Sequence, residues 1–239
     1  MEQRSVLPSG AAGTRPLSPD EVAARLALAA RGGLRRSQDA APAGDVLADQ
    51  VPAGDLSAGR GDHDLNPGLY PDRPLVPAAV LIGLVTHAAG LSVLLTQRTP
   101  HLADHAGQIA FPGGRIEQQD PDERAAALRE AREEVGLDPA GVRLIGRLDT
   151  YVTRTGFRVE PVVGLIAPPL ALSPDPHEVA DIFEVPLDFV IDPTNLRRDS
   201  RIFQGTERFF WAIPWQGRYI WGATAGMLVN LAEVLRGPE

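Results

Sequence analysis

A well-capped helix that follows a glycine-rich turn limits the folds available to this chain. Asp120-Pro121-Asp122-Glu123 places a capping acid, a proline and a further acid in the order that begins a helix. Gly136 and Pro139 then supply a stop. Apolar residues recur at spacings of three and four and give the helix one apolar stripe: Leu128, Ala131 and Val135.

Strand patterns lie on both sides of this helix. Residues 79–86 and 91–97 are β-rich runs separated by a short turn, which predicts a hairpin. A short strand at 108–111 ends at the turn Pro112-Gly113-Gly114, whose backbone is open to close approach. Later strands are predicted at 142–151, 157–166, 178–185, 206–213 and 219–221, and a closing helix at 227–235. The order predicts an α/β fold with a mixed sheet covered by helices.

The composition limits which partners and which metal ligands this chain can have. The chain has 239 residues, a net charge of −8 and no cysteine. A general affinity for nucleic acid or for anionic membranes is therefore not expected, and any bound metal must be held by oxygen or imidazole. Its most apolar stretch, residues 78–85, is too short to cross a bilayer, and no signal pattern begins the sequence. We expect a cytoplasmic protein.

The N-terminal third differs from the rest of the chain in composition and in hydrophobic pattern. Ser18-Pro19-Asp20-Glu21 has the signals of a helix start, and a short amphipathic helix should end near Gly32-Gly33. Residues 37–72 are rich in Ala, Gly, Pro and Asp without a helical or strand period, which predicts a linker or disordered segment. The expected division is an extension at 1–75 and a folded domain at 76–239.

Three carboxylates share one side of the central helix. Because each helical residue advances by about 100°, Glu130, Glu133 and Glu134 point the same way. One interpretation is a solvated acidic face, in which Arg129 and Glu133 form an ordinary surface pair. The other is a site for a hard divalent cation, Mg²⁺ or Mn²⁺, which takes carboxylate oxygens and retains waters that a phosphate can replace.

These residues resemble a known family pattern. Gly114, Asp120 and the run 129–137 (REAREEVGL) are similar to the Nudix box, G-x5-E-x7-R-E-U-x-E-E-x-G-U. The gap is one residue longer than usual, and Asp120 replaces a glutamate, as in the coenzyme A pyrophosphatase branch of the family. Residues 94–114 resemble a second signature of that branch, with Ala103 where an arginine is expected.

The resemblance implies a Nudix-type α/β/α sandwich and a set of roles. It makes Glu130 and Glu134 the first metal ligands, Glu133 a third, and the carbonyl of Gly113 or Gly114 a further one. Either Glu130 or Glu134 would act as general base. Arg129 would orient the neighbouring carboxylates, although an ordinary ion pair explains it as well. Three residues are candidates for substrate binding: Arg98, His105 and Phe111.

Each remaining candidate also has a structural interpretation. Asp120 is favoured as the N-cap of the helix, because an aspartate before Pro-x-Glu begins a helix in any protein. Arg98 is alternatively a surface arginine, and His105 a polar loop residue.

The implied reaction is metal-dependent hydrolysis of the pyrophosphate bond of coenzyme A or its thioesters. The products are 4′-phosphopantetheine, or its acyl form, and adenosine 3′,5′-bisphosphate. The alternatives are a pyrophosphatase acting on a dinucleotide, ADP-ribose or a nucleotide sugar, and a catalytically silent binding module. The expected partner is a small molecule with a diphosphate linkage, not nucleic acid or membrane; whether the chain forms a homodimer stays open.

Overall fold

Groups of strands separated by helices make up most of this chain, as the sequence predicts. The computed structural model describes residues 15–37, 60–101 and 105–237. In chain order the elements are α1 (Pro19–Ser37), β1 (Arg60–Gly61), β2 (Val76–His87), β3 (Gly90–Arg98), β4 (Ile109–Ala110), β5 (Gly113–Arg115), α2 (Glu123–Val135), β6 (Val142–Arg147), β7 (Tyr151–Val152), β8 (Phe157–Ile166), β9 (Val179–Pro186), α3 (Leu187–Ile191), β10 (Arg197–Phe203), β11 (Thr206–Trp215), β12 (Arg218–Trp221) and α4 (Ala223–Arg236).

Strand β2 organises the larger sheet. It pairs in parallel with β8, from Val76 opposite Phe157 to Val85 opposite Ile166. On its other side it pairs antiparallel with β3 and, near its start, with β5, while β9 extends the sheet beyond β3. Parallel and antiparallel ladders thus occur in one sheet, which confirms the predicted mixed sheet.

Helices cover both faces of this sheet. Alternate residues of β2 point to opposite faces, so that Leu81 and Val85 pack with Ala131 and Val135 of α2. Ile82 belongs to the other apolar cluster, which contains a large part of α4, including the fully buried Leu228, Leu231 and Leu235. Two apolar cores with a sheet between them confirm the α/β/α sandwich.

A second, three-stranded sheet is formed by β10, β11 and β12. The hairpin of β11 and β12 matches the predicted strands. Strand β10 and the short helix α3 were not predicted. Almost every residue of β10 is exposed, so this strand has no alternation of apolar and polar residues by which a sequence pattern could show it.

The N-terminal helix packs onto the domain. Ser18 and Glu21 form the predicted cap, in which the Ser18 amide donates to the Glu21 carboxylate at 2.8 Å and the Glu21 amide donates to Ser18 Oγ at 3.3 Å. Val22 and Leu26 are buried in the same apolar cluster as α4. The helix runs to Ser37, past its predicted end at Gly32-Gly33, because a glycine inside a helix costs only about 0.5–1 kcal/mol.

The predicted linker is structured from Arg60 onward, which corrects the predicted boundary at residue 72. Strand β1 pairs in parallel with β7, and the Asp62 carboxylate accepts hydrogen bonds from the Tyr151 hydroxyl at 2.8 Å and the Arg154 amide at 2.7 Å. The rest of that segment, residues 38–59, lies outside the described residues. The division at residue 75 stays a prediction.

None of the helices in the described ranges combines the length and hydropathy required to span a membrane.

The packing of α1 predicts a large effect of one leucine and a small effect of its neighbour. Leu26 is 1% exposed, whereas Leu28 on the same helix is 67% exposed. Leu26→Ala should lower the free energy of unfolding by about 2–5 kcal/mol, and Leu28→Ala should change it by about 0.5 kcal/mol or less. Urea denaturation of both variants measures this. Equal effects would show that α1 does not pack as described.

Candidate active site

Helix α2 begins two residues later than predicted. Asp122 is the N-cap, since its side chain accepts a hydrogen bond from the Ala125 amide at 2.8 Å, and Glu123 is the first helical residue. The prediction that Asp120 caps the helix is therefore wrong. The predicted end is confirmed, because Gly136 has a φ of 68°, a left-handed conformation that favours glycine.

Asp120 instead faces the guanidinium of Arg129. Arg129 Nε and Nη2 donate to its two carboxylate oxygens at 3.0 and 2.9 Å, and the Glu117 amide donates to it as well. Hydrogen bonding by Arg129 holds the pKa of Asp120 below its usual range. This bidentate pair joins the loop before α2 to the second turn of the helix.

Arg129 also contacts two carboxylates of its own helix. Its Nη1 lies 2.9 Å from Glu130 and 3.1 Å from Glu133, and its Nη2 donates to the carbonyl of Arg115 at 3.0 Å. The predicted i, i+4 pair with Glu133 is present, but the guanidinium is largely buried and binds several groups at once. Arg129 is thus placed to orient carboxylates, beyond the role of an ordinary surface pair.

Glu134 is a buried carboxylate without a cation partner among the described residues. It is 6% exposed, and the Gly113 amide donates to it over a long 3.4 Å. Burial raises the pKa of Glu134 to about 8, and the negative charges of Glu130 and Glu178 add to that effect. The positive charge of Arg98 opposes this rise without cancelling it.

Glu130 lies directly against the glycine pair. A Cβ atom on Gly114 would come within 2.5 Å of Glu130 Oε1, so a larger residue at this position would push the carboxylate aside. Burial raises the pKa of Glu130, while the neighbouring Arg129 opposes that rise. Gly113 and Gly114 belong to strand β5, which pairs with β2. The predicted turn is therefore replaced here by a short strand, in which the two glycines pair with β2, whereas β4 before Pro112 pairs with β3.

The three glutamates differ in environment. Glu134 is buried, Glu130 is half-buried, and the side chain of Glu133 is 61% exposed. In the described ranges no three Asp, Glu or His side chains are arranged as a group that could hold a metal ion. The donor chemistry nevertheless fits a hard cation, since the carboxylate oxygens of Glu130 and Glu134 occur together and, among the described residues, only Glu130 has an arginine partner. The assignment of Glu133 stays a prediction.

Glu178 is a member of this cluster that the sequence analysis missed. It precedes β9, and its charge raises the pKa of both Glu130 and Glu134. The antiparallel register of β3 and β9 sets Arg98 opposite Val179, which brings position 178 to the end of β3. Glu178 is far from the helix in sequence, so that only this strand pairing could have revealed it.

The predicted substrate-binding residues have separate locations. The positive charge of Arg98 lowers the pKa of Glu134, so Arg98 lies near the acids, and its buried Nε has no hydrogen-bond partner in the described structure. His105 is exposed and contacts Gln108 at 2.9 Å. Phe111 is 3% exposed in the apolar cluster that contains α4. Only Arg98 is brought to the carboxylates, and Ala103 lies outside the described residues.

A family profile and the most similar known proteins point to the same family. A profile described as NUDIX domain matches residues 75–204, which is more than half of the chain. The protein described as uncharacterized Nudix hydrolase NudL from Escherichia coli (strain K12) is 41% identical over 155 residues, covering 65% of this chain and 80% of that protein. Its counterpart from Klebsiella pneumoniae (strain 342) is 41% identical over 160 residues, with the same coverage.

Solved structures give weaker likenesses. A Caenorhabditis elegans Ap4A hydrolase binary complex is 21% identical with a TM-score of 0.41, over 46% of this chain and 80% of that chain. The Mycobacterium smegmatis Nudix hydrolase RenU is 26% identical with a TM-score of 0.42, over 49% of this chain and 74% of that chain.

The burial of Glu134 predicts how the stability of the metal-free protein depends on pH. With a pKa of about 8 in the folded state against 4.5 ordinarily, this carboxyl stabilises the fold fully below pH 4.5, and that contribution is lost as the pH rises to 8. Glu134→Gln removes the loss. In EDTA, the free energy of unfolding of Glu134→Gln relative to wild type should therefore rise across this range, by on the order of a few kcal/mol. The melting temperature of the variant relative to wild type should rise with it.

Glu123→Gln is the matched control for that measurement. It makes the same chemical change eleven residues earlier on α2, about 16 Å away along the axis. Its melting temperature should follow wild type at every pH. A difference between Glu134→Gln and wild type that does not change with pH would contradict the buried, uncompensated carboxylate.

Proposed function

The chain belongs to the Nudix family of hydrolases, and from this premise we propose that it hydrolyses the pyrophosphate bond of coenzyme A or its thioesters. The proposed products are 4′-phosphopantetheine, or its acyl form, and adenosine 3′,5′-bisphosphate. The observation that carries the proposal is the position of Arg98, the arginine of the second coenzyme A signature, beside the buried carboxylate of the Nudix box, Glu134.

A divalent cation, Mg²⁺ or Mn²⁺, is part of this proposal. Nudix hydrolases generally use divalent metal ions, and here Glu130 and Glu134 would hold the ion, with Glu133 and a carbonyl of Gly113 or Gly114 as further ligands. When bound, such an ion neutralises phosphate charge and makes bound water more acidic.

The other roles belong to the protein's own side chains. Arg129 fixes the carboxylate of Glu130 by a charge-assisted hydrogen bond of 2.9 Å. Glu130 or Glu134 is the proposed general base. In the metal-free protein burial raises the pKa of Glu130 and raises that of Glu134 to about 8, and a cation bound to these carboxylates would lower both again. Arg98, with an unpartnered buried Nε, is proposed to bind a substrate phosphate.

The second candidate is a pyrophosphatase for another nucleoside diphosphate derivative. It is favoured by Ala103, which stands where the coenzyme A signature has an arginine, so that one guanidinium contact to a phosphate is absent. A silent binding module is disfavoured, because all three acids of the Nudix box are present. The cytoplasmic location and the homodimer stay predictions.

A substrate panel separates the two candidates. Purified protein with Mg²⁺ or Mn²⁺ should hydrolyse coenzyme A faster than NADH, ADP-ribose, a nucleotide sugar or nucleoside triphosphates, with adenosine 3′,5′-bisphosphate as a product. Chromatography of the products measures each rate. If coenzyme A is the slowest substrate of the panel, the proposed specificity is wrong.

Removing individual acids tests the site itself. Glu134→Gln should reduce kcat by about 10²-fold or more, since it removes a proposed metal ligand and candidate general base, and Glu178→Gln should reduce it by about tenfold or more, since it removes a further carboxylate beside that residue. Glu123→Gln serves again as control and should keep wild-type turnover. Unchanged turnover in Glu134→Gln, with a normal melting profile, would remove this residue from the site.

A further inference from the structure

Two arginines lie over one phenylalanine ring of the three-stranded sheet, and a third is paired with one of them across two strands. The guanidinium carbons of Arg154 and Arg208 lie 4.5 and 5.5 Å from the centre of the Phe203 ring. Arg201 is directly opposite Arg208 across the β10–β11 ladder, and directly opposite residues point to the same face of a sheet. We call Arg154, Arg201 and Arg208 the arginine cluster.

The cluster forms no salt bridge within the described part of the chain. None of its members takes part in the salt bridges found there. The acids nearby on the chain keep their negative charge but hydrogen-bond to neutral donors instead: Asp62 accepts from Tyr151 and from the Arg154 amide, Asp199 from Tyr219, and Glu207 from Ser200. Like charges directly opposite on a sheet are destabilising, so this arrangement calls for an anion.

Arg208 supplies the second observation. Its Nε and Nη1 have no hydrogen-bond partner in the described structure and are closed off from solvent. An anion would reach them only when the groups that cover Arg208 move aside. A buried donor without a partner is costly, and native proteins seldom leave one unexplained. Guanidinium donors in a fixed fork match the oxygens of a phosphate.

We propose that the arginine cluster is a binding site for a phosphate group, separate from the acidic site of α2. Two sources have this chemistry: free inorganic phosphate, and a phosphomonoester group of the substrate. The second source rests on the proposed function, because coenzyme A carries a 3′-phosphate besides its diphosphate.

The topology favours a location at the same end of the large sheet as the acids. Arg154 lies in the turn between β7 and β8, and β8 begins opposite the start of β2. Strand β5, which carries Gly113 and Gly114, pairs with β2 near the same end. The guanidinium of Arg115, the last residue of β5, lies 5.9 Å from the centre of the Phe157 ring, the first residue of β8.

Calorimetric titration with inorganic phosphate, in EDTA and at low salt, tests the site without any need for activity. Wild type should bind phosphate, and Arg208→Gln should weaken the affinity by about tenfold or more. Arg198→Gln is the matched control: this guanidinium also lies over a phenylalanine ring, 4.0 Å from the centre of Phe209, but on the other face of the same hairpin. It should bind phosphate like wild type.

Further variants protect the test against misfolding. Arg154→Gln should also weaken binding, and Arg208→Lys, which keeps the charge and loses the planar fork, should recover only part of the affinity. Melting curves show whether each variant is folded. The proposal is overturned if wild type binds no phosphate, if Arg208→Gln binds as well as wild type, or if Arg198→Gln loses as much affinity.

A kinetic comparison identifies the source. If the ligand is the substrate's phosphomonoester, wild type should have a lower KM for coenzyme A than for 3′-dephospho-coenzyme A, and Arg208→Gln should lose that difference. If the ligand is free phosphate, any difference in KM between coenzyme A and 3′-dephospho-coenzyme A should be the same in Arg208→Gln as in wild type. If neither compound is hydrolysed, the proposed function fails, and the calorimetric result still decides the phosphate site.

Discussion

The parallel pairing of β2 with β8 determines where everything else in this protein can lie. Both strands are buried over most of their length, and parallel strands of this kind require cover on both faces. Helix α2 covers one face and α4 the other. Because β5 pairs with the first half of β2, the glycine pair comes to lie beneath α2. The contact between Glu130 and Gly114 follows from this pairing.

Much of this architecture is visible in the sequence, because it rests on local signals. The hairpin of β2 and β3, the strand β8 and the end of α2 at Gly136 all follow from β-rich runs and turn residues. The start of α2 was misplaced because Asp120 and Asp122 are both good capping residues. Their roles are decided by Arg129, nine residues from Asp120, whose guanidinium binds the first and leaves the second to cap.

The site was only partly predictable for a related reason. Helical spacing identifies acids on one side of α2, but it does not give their burial, and burial is what distinguishes Glu134 from Glu133. Glu178 has no local signal at all. Its position depends on the register of β3 against β9, a pairing between segments about eighty residues apart. Phe111 is the opposite of Glu178: it lies within a family signature, but its side chain is part of the apolar core and not of the site.

Arg129 has a consequence for the order of assembly. Arg129 binds Asp120, Glu130 and Glu133 together and is their counter-ion within the protein. Most of the acidic helix can therefore form in the metal-free protein. Glu134, the most buried carboxyl of the helix, has no salt bridge in the described structure and can be buried as a neutral acid. If a cation binds at Glu134 as proposed, it would bind to a scaffold that is already folded and would displace a proton from that carboxyl.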